Sequence, residues 1–183
     1  MTATPLDLKD SFLITPRVFE DQRGFFYEFF NEKTFHDQTG LQVHFIQDNL
    51  AKSQKGSLRG FHFQKGKFAQ AKLVSVIQGS VLDVIVDIRK DSKTFGQHYS
   101  VVLNNRNKKQ LFVPRGFAHA YLSLEDDTLF YYKVDNYYNK ESEGGISYAD
   151  PEINMNWNFD MSQIILSEKD KKLPLLKEIS DLL

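Results

Sequence analysis

Three ionisable side chains on strand-like apolar stretches are the residues best suited to chemistry: His62, Lys72 and Tyr132. A histidine can take a proton at neutral pH, an ammonium can hold an oxyanion, and a phenol can return a proton. Together they suit proton abstraction from a carbon next to a carbonyl. Each also has a structural interpretation: a hydrogen-bonded core histidine, a lysine whose stem covers apolar surface, and a tyrosine at a rim. Residue types alone leave both interpretations open.

His62 lies in the mostly apolar segment 58–64. Side chains of a strand alternate between its two faces. The segment is therefore expected to present Leu58, Gly60, His62 and Gln64 on one face, and Arg59, Phe61 and Phe63 on the other.

Short strands are the elements that must position these residues. Apolar runs rich in aromatic and β-branched residues recur between turn signals. They predict strands over residues 25–30, 43–49, 58–64, 71–78, 81–88, 98–103, 110–113, 118–124 and 128–134. Because no long helical pattern separates them, the chain is predicted to be mainly β, an antiparallel β-sandwich or barrel.

Local signals refine this outline. Pro16 marks residues 11–19 as an edge strand or arm, and residues 32–38 can form a short helix. Residues 51–56 are predicted to be a loop. Gly79-Ser80 is a candidate two-residue hairpin between two strands.

The C-terminal part carries a helix-start signal. Ser167 and Asp170 fit the N-cap and N3 positions of a capping box. Leu173, Leu175, Leu176, Ile179 and Leu182 can form a helical stripe, with Pro174 in its first turn.

Composition excludes several classes of partner. Lysine plus arginine (23) balance aspartate plus glutamate (24), so the net charge of −1 gives no reason to expect a nucleic-acid or membrane partner. The chain has no cysteine, no signal-peptide pattern at its start and no apolar run near the ~20 residues of a membrane span. We expect a single cytoplasmic domain over residues 1–183.

A metal site is disfavoured by the histidine spacing. A barrel metal site uses a His-x-His pair, but the corresponding positions read His62-Phe63-Gln64. The 5 histidines are scattered along the chain, and the absence of cysteine removes thiolate ligands and a thiol nucleophile. No Gly-x-Ser-x-Gly elbow or glycine-rich phosphate loop occurs either.

Seven motifs, in order, make the chain resemble the dTDP-4-dehydrorhamnose 3,5-epimerase family. They occupy residues 21–28, 45–49, 58–64, 83–89, 112–119, 132–133 and 167–170. The resemblance implies a cupin-type (jelly-roll) sandwich with short peripheral helices, a homodimer, and no metal or organic cofactor. The implied substrate is a dTDP-linked 4-keto-6-deoxyhexose, whose carbons 3 and 5 both flank the ketone.

The resemblance also implies roles for the reactive residues. His62 corresponds to the base and Asp170 to the carboxylate that orients it and stabilises its protonated form. Lys72 corresponds to the group that stabilises the enolate oxygen. Tyr132 corresponds to the acid that reprotonates from the opposite face. Asp170 therefore has two competing interpretations, helix cap and partner of His62.

The implied substrate-binding residues form three groups. The expected sugar and diphosphate contacts are Gln47, Asp48, Asn49, Arg59 and His119. Arg23 and Glu28 are expected at the nucleotide end, reached across the dimer interface. Tyr138, Glu143 and Lys169 match positions near the nucleotide or the sugar.

Three departures from the family pattern point to differences in specificity. Phe63 replaces a more common tyrosine, Ala120-Tyr121 replaces Gly-Phe, and residues 142–148 lack an Arg-Gly-Ile-Arg-Trp run. None of them falls on His62 or Lys72.

Three other functions remain as alternatives. A relative could invert carbon 3 only, since the motifs are shared. A non-catalytic sugar-binding cupin is disfavoured because all the reactive residues are present. A metal-dependent cupin oxygenase is disfavoured by Gln64.

Overall fold

The computed structural model describes residues 1–179, and strands dominate it. The strands are β1 (Thr2–Pro5), β2 (Phe12–Thr15), β3 (Val18–Asp21), β4 (Gly24–Tyr27), β5 (Gln47–Ser53), β6 (Leu58–Gln64), β7 (Lys72–Gln78), β8 (Ser80–Asp87), β9 (His98–Asn104), β10 (Gln110–Val113), β11 (Phe117–Ser123), β12 (Thr128–Val134) and β13 (Glu143–Gly145). Helix α1 spans Glu32–Thr39. Single turns of 3₁₀ helix lie at Gly66–Phe68, Lys140–Ser142, Met161–Gln163, Asp170–Lys172 and Leu176–Glu178.

Two antiparallel sheets face each other. The six-stranded sheet has the order β1-β2-β10-β7-β12-β5 and the five-stranded sheet the order β13-β6-β11-β8-β9, while β3 and β4 form a separate hairpin. The predicted mainly β, antiparallel sandwich with short peripheral helices is confirmed. In the described part of the chain, no helix is long and apolar enough to span a membrane.

Apolar side chains pack in three layers, one between the sheets and one on the outer face of each sheet. Between the sheets lie side chains such as Val74, Ile85 and Phe130. Helix α1 covers the outer face of the six-stranded sheet through Phe35, and residues 146–179 cover that of the five-stranded sheet. The central strands β8 and β11 are thus buried on both faces, which explains why their sequences read as nearly continuous apolar runs.

The hairpin prediction at Gly79-Ser80 is wrong. Strand β7 pairs with β10 and β12, whereas β8 pairs with β11 and β9, so the chain crosses from one sheet to the other at this point. Gly79 has φ +81°, and a Cβ there would lie 2.4 Å from Thr128 Oγ1. A tight glycine turn can serve a sheet-switching corner as well as a hairpin, and longer-range pairing decides between them.

Other boundaries differ from the predicted ones. Strand β5 begins at Gln47 and runs through the predicted loop at 51–56 as far as Ser53, because β12 pairs with it over seven residues. Strand β4 ends at Tyr27, so Glu28 follows the strand. Strand β1 was not predicted, whereas helix α1 confirms the predicted short helix.

The predicted C-terminal helix is wrong within the described residues. Only two 3₁₀ turns form, at Asp170–Lys172 and Leu176–Glu178. Leu176 is buried against the five-stranded sheet, so packing on this sheet outweighs the helical stripe. Leu182 lies outside the described residues.

A bulge in β6 overturns the predicted faces of segment 58–64. His62 pairs with His119 and Arg59 with Tyr121, so two residues of β6 stand opposite the single residue Ala120. The extra residue puts Arg59 and His62 on the same, inward face. Phe61 instead packs into the outer core, 5.7 Å from the ring of Trp157.

Candidate active site

A cavity of about 480 Å³ opens between the two sheets. This volume suits a small organic ligand. Seven of the predicted site residues line it: Arg59, His62, Lys72, His119, Tyr132, Lys169 and Asp170. The fold therefore gathers residues that are up to 111 positions apart in the sequence.

His62 and Asp170 form a hydrogen-bonded pair. His62 Nε2 lies 2.6 Å from Asp170 Oδ1, with 28% of the His62 side chain exposed and only 4% of Asp170. A carboxylate only accepts hydrogen bonds, so Nε2 carries the hydrogen and Nδ1 of the neutral ring holds the lone pair. Within residues 1–179 no group hydrogen-bonds Nδ1. This nitrogen is thus available as a base.

At Asp170 the pairing with His62 forms, whereas only half of the predicted capping box does. Its backbone N–H donates to Ser167 Oγ at 3.1 Å, as a helix cap requires, while its carboxylate turns to His62. Burial by itself would raise the pKa of the Asp170 carboxyl, but the hydrogen bonds from His62 and Ser167 lower it on balance. The carboxylate stays ionised and can stabilise a protonated imidazole.

Lys72 presents an ammonium with no protein partner. Among the residues described, it donates no hydrogen bond and forms no ion pair. Burial lowers its pKa to about 8, and the carboxylates of Asp83 and Glu143 oppose a larger drop. It remains mostly protonated at neutral pH and is free to bind a developing oxyanion.

Asp83 is a buried residue beside the cavity that was not among the predicted site residues. It is fully buried between the sheets, and both of its carboxylate oxygens lie 3.0 Å from His119 Nε2. Burial lowers the pKa of His119, and Asp83 opposes this only in part, so the neutral ring donates from Nε2. An aspartate inside the apolar run 81–88 was the available signal, because a lone carboxylate is rarely buried without a partner.

Tyr132 faces the cavity from the other sheet. It lies on β12 in the six-stranded sheet, whereas His62 lies on β6 in the five-stranded sheet. Burial raises the pKa of the Tyr132 hydroxyl, and Arg59 opposes this only in part. The phenol is therefore protonated at neutral pH, as a proton donor must be.

The side chains of residues 47–49, which were predicted to bind substrate, lie on both faces of strand β5. Asn49 is paired with Tyr132 and Gln47 with Val134, so both share the inward face, and the Gln47 amide donates to Asn49 Oδ1 at 2.8 Å. Asp48 turns to the outer face and forms an ion pair with Lys133 at 2.6 Å. Its predicted side-chain contact with substrate remains a prediction without support from this geometry.

Three predicted residues form a polar cluster beside the cavity. Glu143 accepts a hydrogen bond from the Tyr138 hydroxyl at 3.1 Å and pairs with Lys169 at 2.5 Å. Burial would raise the pKa of Glu143, yet Lys169 and Tyr138 lower it on balance. The cluster is ionic and half-exposed, as expected of a binding rim.

Arg23 and Glu28 lie apart from this cavity. Arg23 is in the turn of the β3–β4 hairpin, with its side chain 85% exposed and paired with Asp21. Glu28 is exposed just after the hairpin. Neither lines the cavity of its own chain.

Two of the departures from the family pattern lie in strands, and their side chains lie on different surfaces. Phe63 is buried in the outer core of the five-stranded sheet, so it contributes to packing there and does not line the cavity. Tyr121 lines the cavity. A difference in specificity is therefore better sought at Tyr121 than at Phe63.

The histidines of the cavity are engaged with carboxylates. His62 is paired with Asp170 and His119 with Asp83. Across residues 1–179, no three side chains of metal-ligating type converge. The expectation that the protein uses no metal remains a prediction for direct metal analysis.

Comparisons with known proteins agree over nearly the whole chain. A family model described as dTDP-4-dehydrorhamnose 3,5-epimerase matches residues 5–178. The dTDP-4-dehydrorhamnose 3,5-epimerase of Escherichia coli (strain K12) is 46% identical over 179 residues, covering 98% of this chain and 96% of that protein.

Solved structures extend the agreement to the fold. The crystal structure of dTDP-4-dehydrorhamnose 3,5-epimerase from Elizabethkingia anophelis NUHP1 has 50% identity and a TM-score of 0.95, covering 99% of this chain and 98% of that one. A dTDP-6-deoxy-D-glucose-3,5-epimerase from Legionella pneumophila Philadelphia 1, in complex with dTDP-4-keto-L-rhamnose, has 42% identity and a TM-score of 0.94, covering 98% and 94%. The cupin-type fold implied by the motifs is confirmed. The chain belongs to the dTDP-4-dehydrorhamnose 3,5-epimerase family.

Proposed function

We propose that this protein is an isomerase that inverts carbons 3 and 5 of dTDP-4-dehydro-6-deoxy-D-glucose to give dTDP-4-dehydro-L-rhamnose. Family membership supports the reaction and the substrate class. The observation that carries the mechanism is that the His62–Asp170 pair and Tyr132 approach one cavity from opposite sheets. An inversion needs removal of a proton on one side of a carbon and its return on the other.

The proposed reaction begins with proton transfer to His62. Nδ1 takes the proton from a carbon next to the 4-keto group, and the electron pair of that C–H bond moves to form an enolate. The Lys72 ammonium stabilises the negative oxygen, and Asp170 stabilises the imidazolium.

The second proton transfer completes the inversion. The Tyr132 hydroxyl donates its proton to the same carbon from the opposite face, and the enolate returns to the ketone. The imidazolium then loses its proton and the tyrosinate regains one from solvent, so the enzyme is restored without a net change in protons. The same groups can act on the second carbon, because both carbons flank one ketone.

Turnover in deuterium oxide tests this proposal. We expect deuterium at both carbon 3 and carbon 5 of the product, measured by mass spectrometry and proton NMR. Deuterium at carbon 3 alone would indicate the 3-epimerase alternative. Deuterium at neither carbon would overturn both.

Two variants separate the roles of the base and the acid. His62→Asn is expected to abolish exchange at both carbons, whereas Tyr132→Phe is expected to retain exchange through His62 while losing inversion. Full turnover by His62→Asn would show that the assignment of the base is wrong. Metal analysis of the purified protein provides a further check, since a chelator that abolished turnover would contradict a metal-free reaction.

We also propose that two copies form the functional unit. The β3–β4 hairpin exposes 59% of Phe25 and 69% of Phe26, and the edge strand β5 exposes 63% of Leu50. Exposed aromatic side chains and an unpaired sheet edge favour association. A second copy could also receive Arg23 and Glu28 at the nucleotide end of its cavity.

A cytoplasmic location of the protein, expected together with a nucleotide-sugar substrate, remains a prediction.

A further inference from the structure

A chain of hydroxyl groups links the cavity wall to Arg59. The Tyr121 hydroxyl lies 3.1 Å from Ser53 Oγ, and Ser53 Oγ accepts a hydrogen bond from Arg59 Nε at 3.2 Å. Tyr121 is 5% exposed and Ser53 is 3% exposed. The link connects strand β11 of one sheet to strand β5 of the other and ends at a solvent-exposed guanidinium.

These contacts fix the plane of the guanidinium. Nε donates to Ser53, and Nη2 donates to the backbone carbonyl of Lys52 at 3.2 Å. A guanidinium has five N–H groups in a rigid planar fork. Two anchored groups hold the fork, and the other three N–H groups remain for an anion at the cavity that Arg59 lines.

The hydroxyl of Tyr121 is not needed for the packing of its ring. Its ring stacks on Phe130, with ring centroids 4.0 Å apart and an interplanar angle of 16°, and a phenylalanine ring could pack in the same way. Within residues 1–179, Ser53 is the only hydrogen-bond partner of this hydroxyl. Ring and hydroxyl therefore have separable roles.

We propose that Tyr121 is a positioning residue for the anionic part of the substrate. Through Ser53 it holds Arg59 in the orientation that binds the diphosphate of the nucleotide sugar. The inference rests on the proposed function only in identifying the anion as that diphosphate. Pre-orientation strengthens binding because less side-chain freedom is lost when the ligand arrives.

Tyr121→Phe and Ser53→Ala test the link from its two ends. We expect each to raise KM for the nucleotide sugar about 3- to 10-fold, the range of one net hydrogen bond, with kcat nearly unchanged. Calorimetric affinity for dTDP should weaken by the same factor, while affinity for thymidine, which lacks phosphate, should not change. Tyr99→Phe is the matched control, since Tyr99 packs in the same inter-sheet core and does not line the cavity.

A double-mutant cycle shows whether the effect passes through Arg59. In an Arg59→Met background, Tyr121→Phe should cause no further loss of dTDP affinity. Unchanged dTDP affinity in both single variants, equal losses for dTDP and thymidine, or a full additional loss in the Arg59→Met background would each overturn the proposal.

These experiments distinguish a failure of the positioning role from a failure of the proposed function. If the unmodified protein neither turns over the nucleotide sugar nor exchanges its protons, the proposed function fails. A selective loss of dTDP affinity in Tyr121→Phe would still support the positioning role. Melting temperatures near that of the unmodified protein would show that the variants are folded.

Discussion

At the scale of single residues, the cavity sets protonation states by burial and by its charged neighbours. Burial lowers the pKa of Lys72 and raises that of Tyr132. The same buried space holds the carboxylate of Asp83, whose charge limits the drop in the pKa of Lys72. A cation and a protonated phenol thus coexist in one small volume.

The pH dependence of kcat/KM should report on Lys72. If its protonated form is required, kcat/KM falls as the pH rises through about 8, the pKa of the free enzyme's lysine. Asp83→Asn removes a charge that raises this pKa, so the alkaline limb should move to lower pH. The matched control is Asp48→Asn, a carboxylate on the outer face of β5. An unmoved limb in Asp83→Asn would contradict the assignment.

The Asp170 carboxylate should matter for rate more than for binding. Asp170→Asn retains an acceptor for His62 Nε2 but removes the charge that stabilises the imidazolium. We expect kcat to fall about 10²- to 10⁴-fold with a small change in KM. Glu168→Gln is the control, because Glu168 is exposed and pairs with Lys171. A near-normal kcat in steady-state assays of Asp170→Asn would contradict the role of Asp170 as the charged partner of His62.

At the scale of elements, irregular points in the strands place the reactive groups. The bulge in β6 turns Arg59 and His62 to the same inward face. The corner at Gly79 sends β7 and β8 to opposite sheets, so the charge of Asp83 acts on Lys72 across the space between the sheets. A regular β6 and a β7–β8 hairpin would separate these side chains.

Gly79→Ala should destabilise the protein strongly. Its positive φ disfavours a Cβ, and the added Cβ would lie 3.0 Å from Thr128 Cα as well as 2.4 Å from Oγ1. We expect the free energy of unfolding in urea to fall by roughly 2–4 kcal/mol. Gly40→Ala is the control: φ is +72° with nothing within 4 Å, so its loss should be about 1 kcal/mol. Equal losses would mean that the contact with Thr128 has no effect.

At the scale of the whole molecule, one chain holds the proposed acid–base groups but does not bring all the predicted nucleotide contacts to its cavity. Arg23 and Glu28 lie on or beside an exposed hairpin. A homodimer in which this hairpin reaches the other copy would complete the site. Such a dimer should show twice the mass of the chain in sedimentation.

Hybrid dimers test whether Arg23 acts across the interface. Mixing inactive His62→Asn chains with Arg23→Ala chains creates hybrids in which one cavity combines an intact His62 with the partner's intact Arg23. With random mixing of two-fold dimers, about a quarter of the sites should recover normal turnover. If Arg23 serves its own cavity, no such recovery occurs. A mixture of His62→Asn with Asp170→Asn is the control, since both changes lie in the same cavity and hybrids gain no complete site.

The sequence by itself determined most of the strands, the family and most of the reactive residues. Periodicity and β-branched or aromatic composition report how a segment is buried, so β8 to β12 could be located within a few residues. The motifs contain His62, Tyr132 and Asp170, Lys72 lies on the predicted strand 71–78, and the fold brings all four to one cavity. These features are local, or depend on residue identity at a position.

Only the tertiary structure decided which segments meet. The sheet change at Gly79, the bulge that turns His62 inward and the pairing of Asp83 with His119 all depend on contacts between residues far apart in the chain. A glycine turn, a strand and a buried aspartate are each compatible with several partners. The choice among these partners follows from the simultaneous packing of two sheets. No single segment contains enough information to specify it.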